Sequence, residues 1–412
     1  MEMITALYAD ENGEIFDHPE FHGVGRIGDQ NVVLKKEDLI PLPEGADLMF
    51  LPGRLALGEQ NGKIVPITGR AVAAILPAGY TRVFMPAFAK AEDEDSVLPL
   101  YGYTAVVLYK DELYVAAIYT DENEKWQPLN YNTHDLKKLV TRTKKDLPNN
   151  RIVEQVGKCS LQWHCCTAQN LFYRRWEAGI PVSPACNANC FGCISLQPSE
   201  CCPSPQNRID FKPTPKEIAE VGIYHLANAP EAIISFGQGC EGEPSLAADN
   251  IAEGIRLIRN EVDRGQININ TNAGYTEGIK KIVDAGLDTM RVSIISARTD
   301  SYQAYYRGNY SLDNVKESIN YAKEKGVYVS LNMLFFPGLN DREEEITAWK
   351  KFLAETKIDM IQLRNLNIDP DAFLEIMPKP QGKMYGTRFF IEEIKRCFPQ
   401  LIIGSFSHYV KA

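Results

Sequence analysis

Two patterns of apolar and polar positions divide this chain. Up to about residue 150 the apolar positions fall in runs of strand length, among them 30–34, 101–109 and 112–119. Turn-forming clusters such as Pro43-Glu44-Gly45 and the stretch 58–62 separate these runs, and Tyr109-Lys110-Asp111-Glu112 has the form of a hairpin connection. Helical period first shows near 135–143. A β-rich accessory domain is therefore predicted over residues 1–150.

From about residue 179 the pattern alternates. Apolar runs at 231–236, 266–270, 290–295, 327–334 and 360–364 are separated by segments of helical period at 214–228, 246–264, 275–285, 312–325 and 342–356. Ser311 and Asp341 read as helix N-caps, and Gly286 and Gly326 as C-terminal stops. Strands alternating with helices imply an α/β fold with a parallel sheet. A first strand over 179–185 brings the strand count to six. Ligand sites of such sheets lie at the C-terminal ends of the strands. Residues 151–178 read as a cysteine-containing connector, 179–370 as the α/β domain, and 371–412 as an extension packing across its mouth or side.

Composition narrows the class. Hydrophobic content of 44% and charged content of 24% are those of a globular protein. No apolar run reaches the length of a membrane span. The first residues lack the basic and apolar regions of a signal peptide. A cytoplasmic location without a membrane partner is expected. A net charge of −10 and the absence of a long Lys/Arg block disfavour nucleic acid as a partner. The most basic stretch, around Lys137, Lys138, Arg142, Lys144 and Lys145, reads as a solvated face.

The cysteines carry the chemistry. The chain has ten, and eight of them lie between Cys159 and Cys202. In a cytosolic chain that clustering points to metal rather than disulfides. Cys186, Cys190 and Cys193 follow the spacing C-x3-C-x2-C. Three such thiolates can hold three irons of a [4Fe-4S] cube and leave the fourth open to a ligand. A structural zinc site takes four ligands, usually in two separated pairs. Cys159, Cys165, Cys166, Cys201 and Cys202, with His164, offer donors for a second iron–sulfur cluster or metal ion; buried or free thiols are the alternative. His18 and His22 flank Pro19, which opposes a helix that would pair them as ligands.

Around these cysteines the chain resembles the radical S-adenosylmethionine (radical SAM) superfamily, over about residues 175–370. The resemblance implies a partial (β/α)6 TIM-type barrel and two cofactors, a [4Fe-4S] cluster and S-adenosylmethionine. It further implies reductive cleavage to a 5′-deoxyadenosyl radical, an oxygen-labile cluster suited to anaerobic conditions, and a reductase, flavodoxin or ferredoxin as electron donor. Gly242-Glu243-Pro244 is similar to the family's GGEP motif, with Glu241 where a glycine is usual. There a glycine admits close approach and Glu243 offers an acceptor to the amino group. Asn270 and Asn272 resemble the family's third-strand edge. By the same resemblance Ser293 hydrogen-bonds the carboxylate or ribose, Arg307 pairs with the carboxylate, Asn332 meets the ribose, and Leu363 begins the segment where adenine stacks. Gly192 stands where the family usually has an aromatic residue.

Val182-Ser183-Pro184-Ala185-Cys186, with Cys166 upstream and Cys201 downstream, is locally similar to nitrogenase-cofactor maturases. Only Cys240 and Cys397 follow, so the later paired cysteines of those proteins are missing. Cys240 is expected to face the substrate as ligand or hydrogen donor. The expected function is maturation of a peptide, a protein or a cofactor, with an auxiliary metal site and a peptide or protein substrate among the partners. The alternatives are a single-cluster activase or RNA-modifying enzyme, and a non-catalytic iron–sulfur or zinc-binding interaction protein. The polar strand-end residues argue against the last, because a scaffold has no need of them.

Overall fold

The structure, a computed structural model, describes residues 3–92, 95–100, 102–122, 124–196 and 206–410. The N-terminal region is antiparallel and β-rich. Its largest sheet is built on the long strands Ile15–Ile27, Asp47–Gln60 and Lys63–Ile75. Tyr103–Tyr109 and Glu112–Val115 form the expected hairpin, and Lys110 and Asp111 both have positive φ. That is the two-residue turn whose twist suits paired strands. Asn61 and Gly62 make the same kind of connection, so Gly58 lies within a strand rather than in a break.

The connector is helical. Asn150 caps the helix Arg151–Gln162 by accepting from the Ile152 and Val153 amides, and Cys166–Tyr173 follows. Both helices share one apolar core with the α/β region.

That region holds a seven-stranded parallel sheet in sequential order: β1 (Glu177–Gly179), β2 (Ile233–Phe236), β3 (Gln266–Thr271), β4 (Thr289–Ile294), β5 (Tyr328–Phe335), β6 (Met360–Asn365) and β7 (Ile402–Gly404). Two features depart from expectation. The first strand ends at Gly179, and the segment after it runs on outside regular structure. The last strand comes from the C-terminal extension, which joins the sheet rather than only packing on it.

Thr214 and Ser311 cap the helices Pro215–Asn228 and Leu312–Glu324 with reciprocal capping boxes. Arg342, not Asp341, holds the N-cap position of Glu343–Thr356. Asp341 instead accepts the Gly338 amide at 2.7 Å.

Parallel strands buried on both faces usually read as unbroken apolar runs. Here they alternate. Ile267, Ile269, Met290, Val292, Val329, Leu331 and Ile361 are buried in the core. The intervening positions are polar except Leu334, and the register sets Asn270 opposite Arg291, Ser293 opposite Asn332, and Leu334 opposite Arg364. One face of the sheet therefore meets helices and the other lines a cavity. Among the described residues no helix is long and apolar enough to cross a membrane.

Candidate active site

A cavity of about 490 Å³ opens at the C-terminal ends of the strands. It is lined by Cys186, Cys190 and Cys193, by the loop after β2, and by Asn270, Asn272, Arg291, Ser293, Tyr306, Asn332 and Arg364. Its volume suits a small-molecule site. A cavity of about 600 Å³ lies elsewhere, beside Tyr328 at the start of β5, away from the cysteine triplet.

The cysteine loop is pinned from both sides. The Asn189 and Phe191 amides donate to the carbonyls of Tyr306 and Tyr305, each at 2.9 Å. These are open carbonyls at the C-terminal end of the helix Thr299–Tyr306. On the other side, the Gly242 amide donates to Ser183 O at 2.7 Å and the Glu243 amide to Ala185 O at 2.8 Å. A Cβ on Gly242 would stand 2.0 Å from Ala185 O, so only glycine permits this approach. Gly192 is crowded in the same way, since a Cβ there would meet the Tyr305 hydroxyl at 2.8 Å. Tyr305 fills the space that an aromatic side chain at position 192 would need.

Two buried carboxylates brace the loops. Glu243 accepts from the Ser245 amide (3.0 Å), the Thr271 hydroxyl (2.5 Å) and the Asn272 amide (2.8 Å). These bonds tie the loop after β2 to the end of β3, and Glu243 lines the cavity as well. Glu241 is 4% exposed and accepts four backbone amides: Val182 (2.7 Å), Ser183 (2.9 Å), Gly237 (2.7 Å) and Gln238 (2.7 Å). Burial pushes its carboxyl up to about 7, against the pull of those amides toward the ionised form.

Burial also raises the Cys186 and Cys190 thiols. Arg208 lies beside Cys193, its Nη2 3.6 Å from Sγ and its Nε donating to the Ser195 hydroxyl at 3.2 Å. The Tyr306 hydroxyl is buried and has no hydrogen-bond partner in this structure, on a residue that lines the cavity. Arg208 and Tyr306 were not legible as site residues. Arg208 lies beyond the cysteine motif in sequence, and Tyr306 resembles any core aromatic.

Among the expected site residues, Gly242, Glu243, Pro244, Asn270, Asn272, Ser293 and Asn332 line the cavity together with the three cysteines. Three others do not. Leu363 is 2% exposed on the opposite face of β6, and the cavity receives Arg364 instead. Arg307 is an exposed helix C-cap with φ 48°, its guanidinium over the Phe191 ring. Cys240 is 5% exposed, turned from the cavity and in contact with Cys159.

The second set of cysteines is partly assembled. Cys159, Cys240 and Cys165 lie within electrostatic reach of one another, and Cys166 lies within reach of Cys165 and also of Tyr131 and Arg175. His164 bonds Asn132 at 2.8 Å. Cys201 and Cys202 lie outside the described residues. Among the described residues no three His, Cys, Asp or Glu side chains converge on a single ion. That arrangement is the need of a mononuclear site, whereas the ligands of an iron–sulfur cube bind separate irons.

The residues fit a cluster and its organic ligand. Three thiols share one cavity wall, a side-chain-free backbone edge stands beside them, and a buried hydroxyl awaits a partner. Residues 180–349, which hold the cysteine triplet and the loop after β2, match the model of the Radical SAM superfamily. It is 30% identical over 205 residues to a GTP 3′,8-cyclase of Listeria welshimeri, spanning 48% of this chain and 53% of that one. It is 23% identical over 193 residues to the FeMo cofactor biosynthesis protein NifB of Klebsiella pneumoniae, spanning 43% and 41%. The chain thus spans about half the length of the curated relatives it matches. Among solved structures, Streptococcus suis SuiB bound to S-adenosylmethionine overlaps 77% of this chain and 73% of that one, at 16% identity and a TM-score of 0.39.

Proposed function

We propose that Cys186, Cys190 and Cys193 hold a [4Fe-4S] cluster with one open iron, and that the strand ends beside them seat S-adenosylmethionine for hydrogen abstraction from a substrate in the same cavity. The chemistry supplied there when the cofactors are bound is reductive cleavage of the sulfonium C–S bond, giving a 5′-deoxyadenosyl radical. The observation that carries this reading is the shared cavity of the cysteine triplet and the Gly242-Glu243-Pro244 edge. Glu241 and Glu243 fix the loops, Gly242 allows their close approach, and Arg208 offsets negative charge on Cys193. Ser293, Asn332 and Tyr306 offer hydrogen bonds to a polar ligand. The parallel sheet is read as a partial (β/α) barrel, and a reductase, flavodoxin or ferredoxin supplies the electron.

The substrate reading is maturation chemistry with an auxiliary metal site. Its support is the meeting of Cys159, Cys165 and Cys240 on the side of the 237–243 loop turned from the cavity. The relatives' names, a GTP cyclase and a FeMo cofactor biosynthesis protein, favour a cofactor over a peptide as the product.

Replacing Cys186, Cys190 and Cys193 together by Ala tests the assignment. After anaerobic reconstitution, 5′-deoxyadenosine formation from S-adenosylmethionine should vanish, and continued cleavage would sink the proposal. If the variant still binds about four irons, an auxiliary cluster is supported.

A further inference from the structure

The cavity face of the sheet carries two arginines. Arg291, on β4, is 8% exposed; its Nη2 donates to Glu177 Oε1 at 2.9 Å, and its Nε has no partner in this structure. Arg364, on β6, donates Nε to Asn332 Oδ1 at 3.2 Å and Nη2 to Gln362 Oε1 at 3.3 Å, both neutral acceptors. Burial and then the Arg291 charge pull the Arg364 guanidinium down to about 10, so the two cations feel each other.

The nearby carboxylates are largely committed. Glu177 also accepts the Ser235 hydroxyl at 2.6 Å. Glu241 and Glu243 are held by backbone amides and the Thr271 hydroxyl. Asp121 acts on Arg364 but is engaged by His408 and the Ser405 amide. Arg291 is thus paired through one nitrogen with Glu177, whereas Arg364 is withdrawn from water onto neutral partners, which is costly unless an anion joins it.

We infer that Arg291 and Arg364 form the binding site for an anionic group of the substrate, a carboxylate or a phosphate. The inference rests on reading this cavity as the reaction chamber. A guanidinium presents paired N–H donors that match either group. The arginines stand on β4 and β6, whereas the cysteines follow β1, so the anchor holds the substrate from across the sheet. S-adenosylmethionine carries a carboxylate of its own, and the test must separate the two.

The probe is inorganic pyrophosphate, with citrate in parallel, titrated calorimetrically into the anaerobically reconstituted full chain with S-adenosylmethionine present. The wild type should bind at least one of the two anions. Arg364→Gln should weaken that binding about tenfold, and weaken it more than binding of S-adenosylmethionine. Arg364→Lys keeps the charge and should retain part of the affinity. Asn332→Asp guards against misfolding of the glutamine variant. It preserves the hydrogen bond to Arg364 while neutralising the cation, and should also abolish anion binding. No anion binding in the wild type, equal binding in Arg364→Gln and Asn332→Asp, or a loss confined to S-adenosylmethionine each overturns the inference. Failure of the wild type to cleave S-adenosylmethionine instead overturns the proposed function, and the calorimetry reads the anion site separately.

Discussion

Glu241 stands where a glycine is usual in the superfamily, so changing it toward glycine would look like a repair. The structure predicts damage. The carboxylate accepts four amides, two from the segment leading to Cys186 and two from the turn after β2. In Glu241→Gln one oxygen still serves two amides, while the new NH2 faces the other two. Each buried amide without an acceptor costs about 1–3 kcal/mol, so the pair costs about 2–6 kcal/mol. Against a typical total of about 5–15 kcal/mol, that is a large fraction but leaves a folded protein to assay. Glu241→Gly strips the acceptor from all four amides and should lose more.

Activity should suffer beyond stability, because Val182 and Ser183 set the path into Cys186. A displacement of about 1 Å there is enough for a loss on the order of 100-fold. The assays are urea unfolding and anaerobic 5′-deoxyadenosine formation. If Glu241→Gly matches the wild type in both, the carboxylate is not a brace and the reasoning fails.

Two further outcomes follow from the same geometry. Gly242→Ala forces a Cβ to 2.0 Å from Ala185 O; the overpacking costs about 1–3 kcal/mol and should lower both iron content and cleavage. Gly326→Ala meets open space but sits at φ 80°, so it should cost stability through the backbone alone while iron content and cleavage per folded protein stay intact. His225 is buried with Nε2 2.7 Å from Trp176 O, and burial pulls it down to about 4 from 6.5. Its neutral form is the folded one, so stability is full above pH 6.5 and falls as the pH drops toward 4, by up to about 3 kcal/mol. Urea midpoints of wild type and His225→Gln across that range should diverge; parallel curves would refute the assignment.

Much of the α/β region was legible because its elements are marked at their ends. Thr214 and Ser311 announce helices that begin one residue later. The cavity face was less legible. On a strand, neighbouring side chains take opposite faces, and a phase error of one residue exchanges Leu363 for Arg364. The first strand was placed late because 179–185 is extended. Ile180 still donates to Ser235 O, but Pro181 and Pro184 have no N–H to continue a ladder. β7 spans only three residues, too short to show a period. Cys240 sits in a glycine-rich turn where no periodicity assigns a direction, and only its contact with Cys159 reveals which way it points.

The N-terminal β region braces one edge of the cavity from outside. Arg54 and Arg82 are fully buried although they belong to the N-terminal β region. Arg54 donates to Asp369 Oδ2 at 3.2 Å. Arg82 donates Nη2 to Leu366 O at 2.5 Å, and its amide donates to Asn365 Oδ1 at 3.0 Å. Asn365 answers by donating to Tyr80 O at 3.0 Å. All these partners lie at the end of β6 or just after it, the stretch that presents Arg364, Asn365 and Asn367 to the cavity. Buried charges commit their partners to one geometry, since a small displacement leaves a cation without acceptors. Docking of the N-terminal β region and the position of Arg364 are therefore coupled through the stretch after β6, although the cavity lining itself comes from residues 186–367.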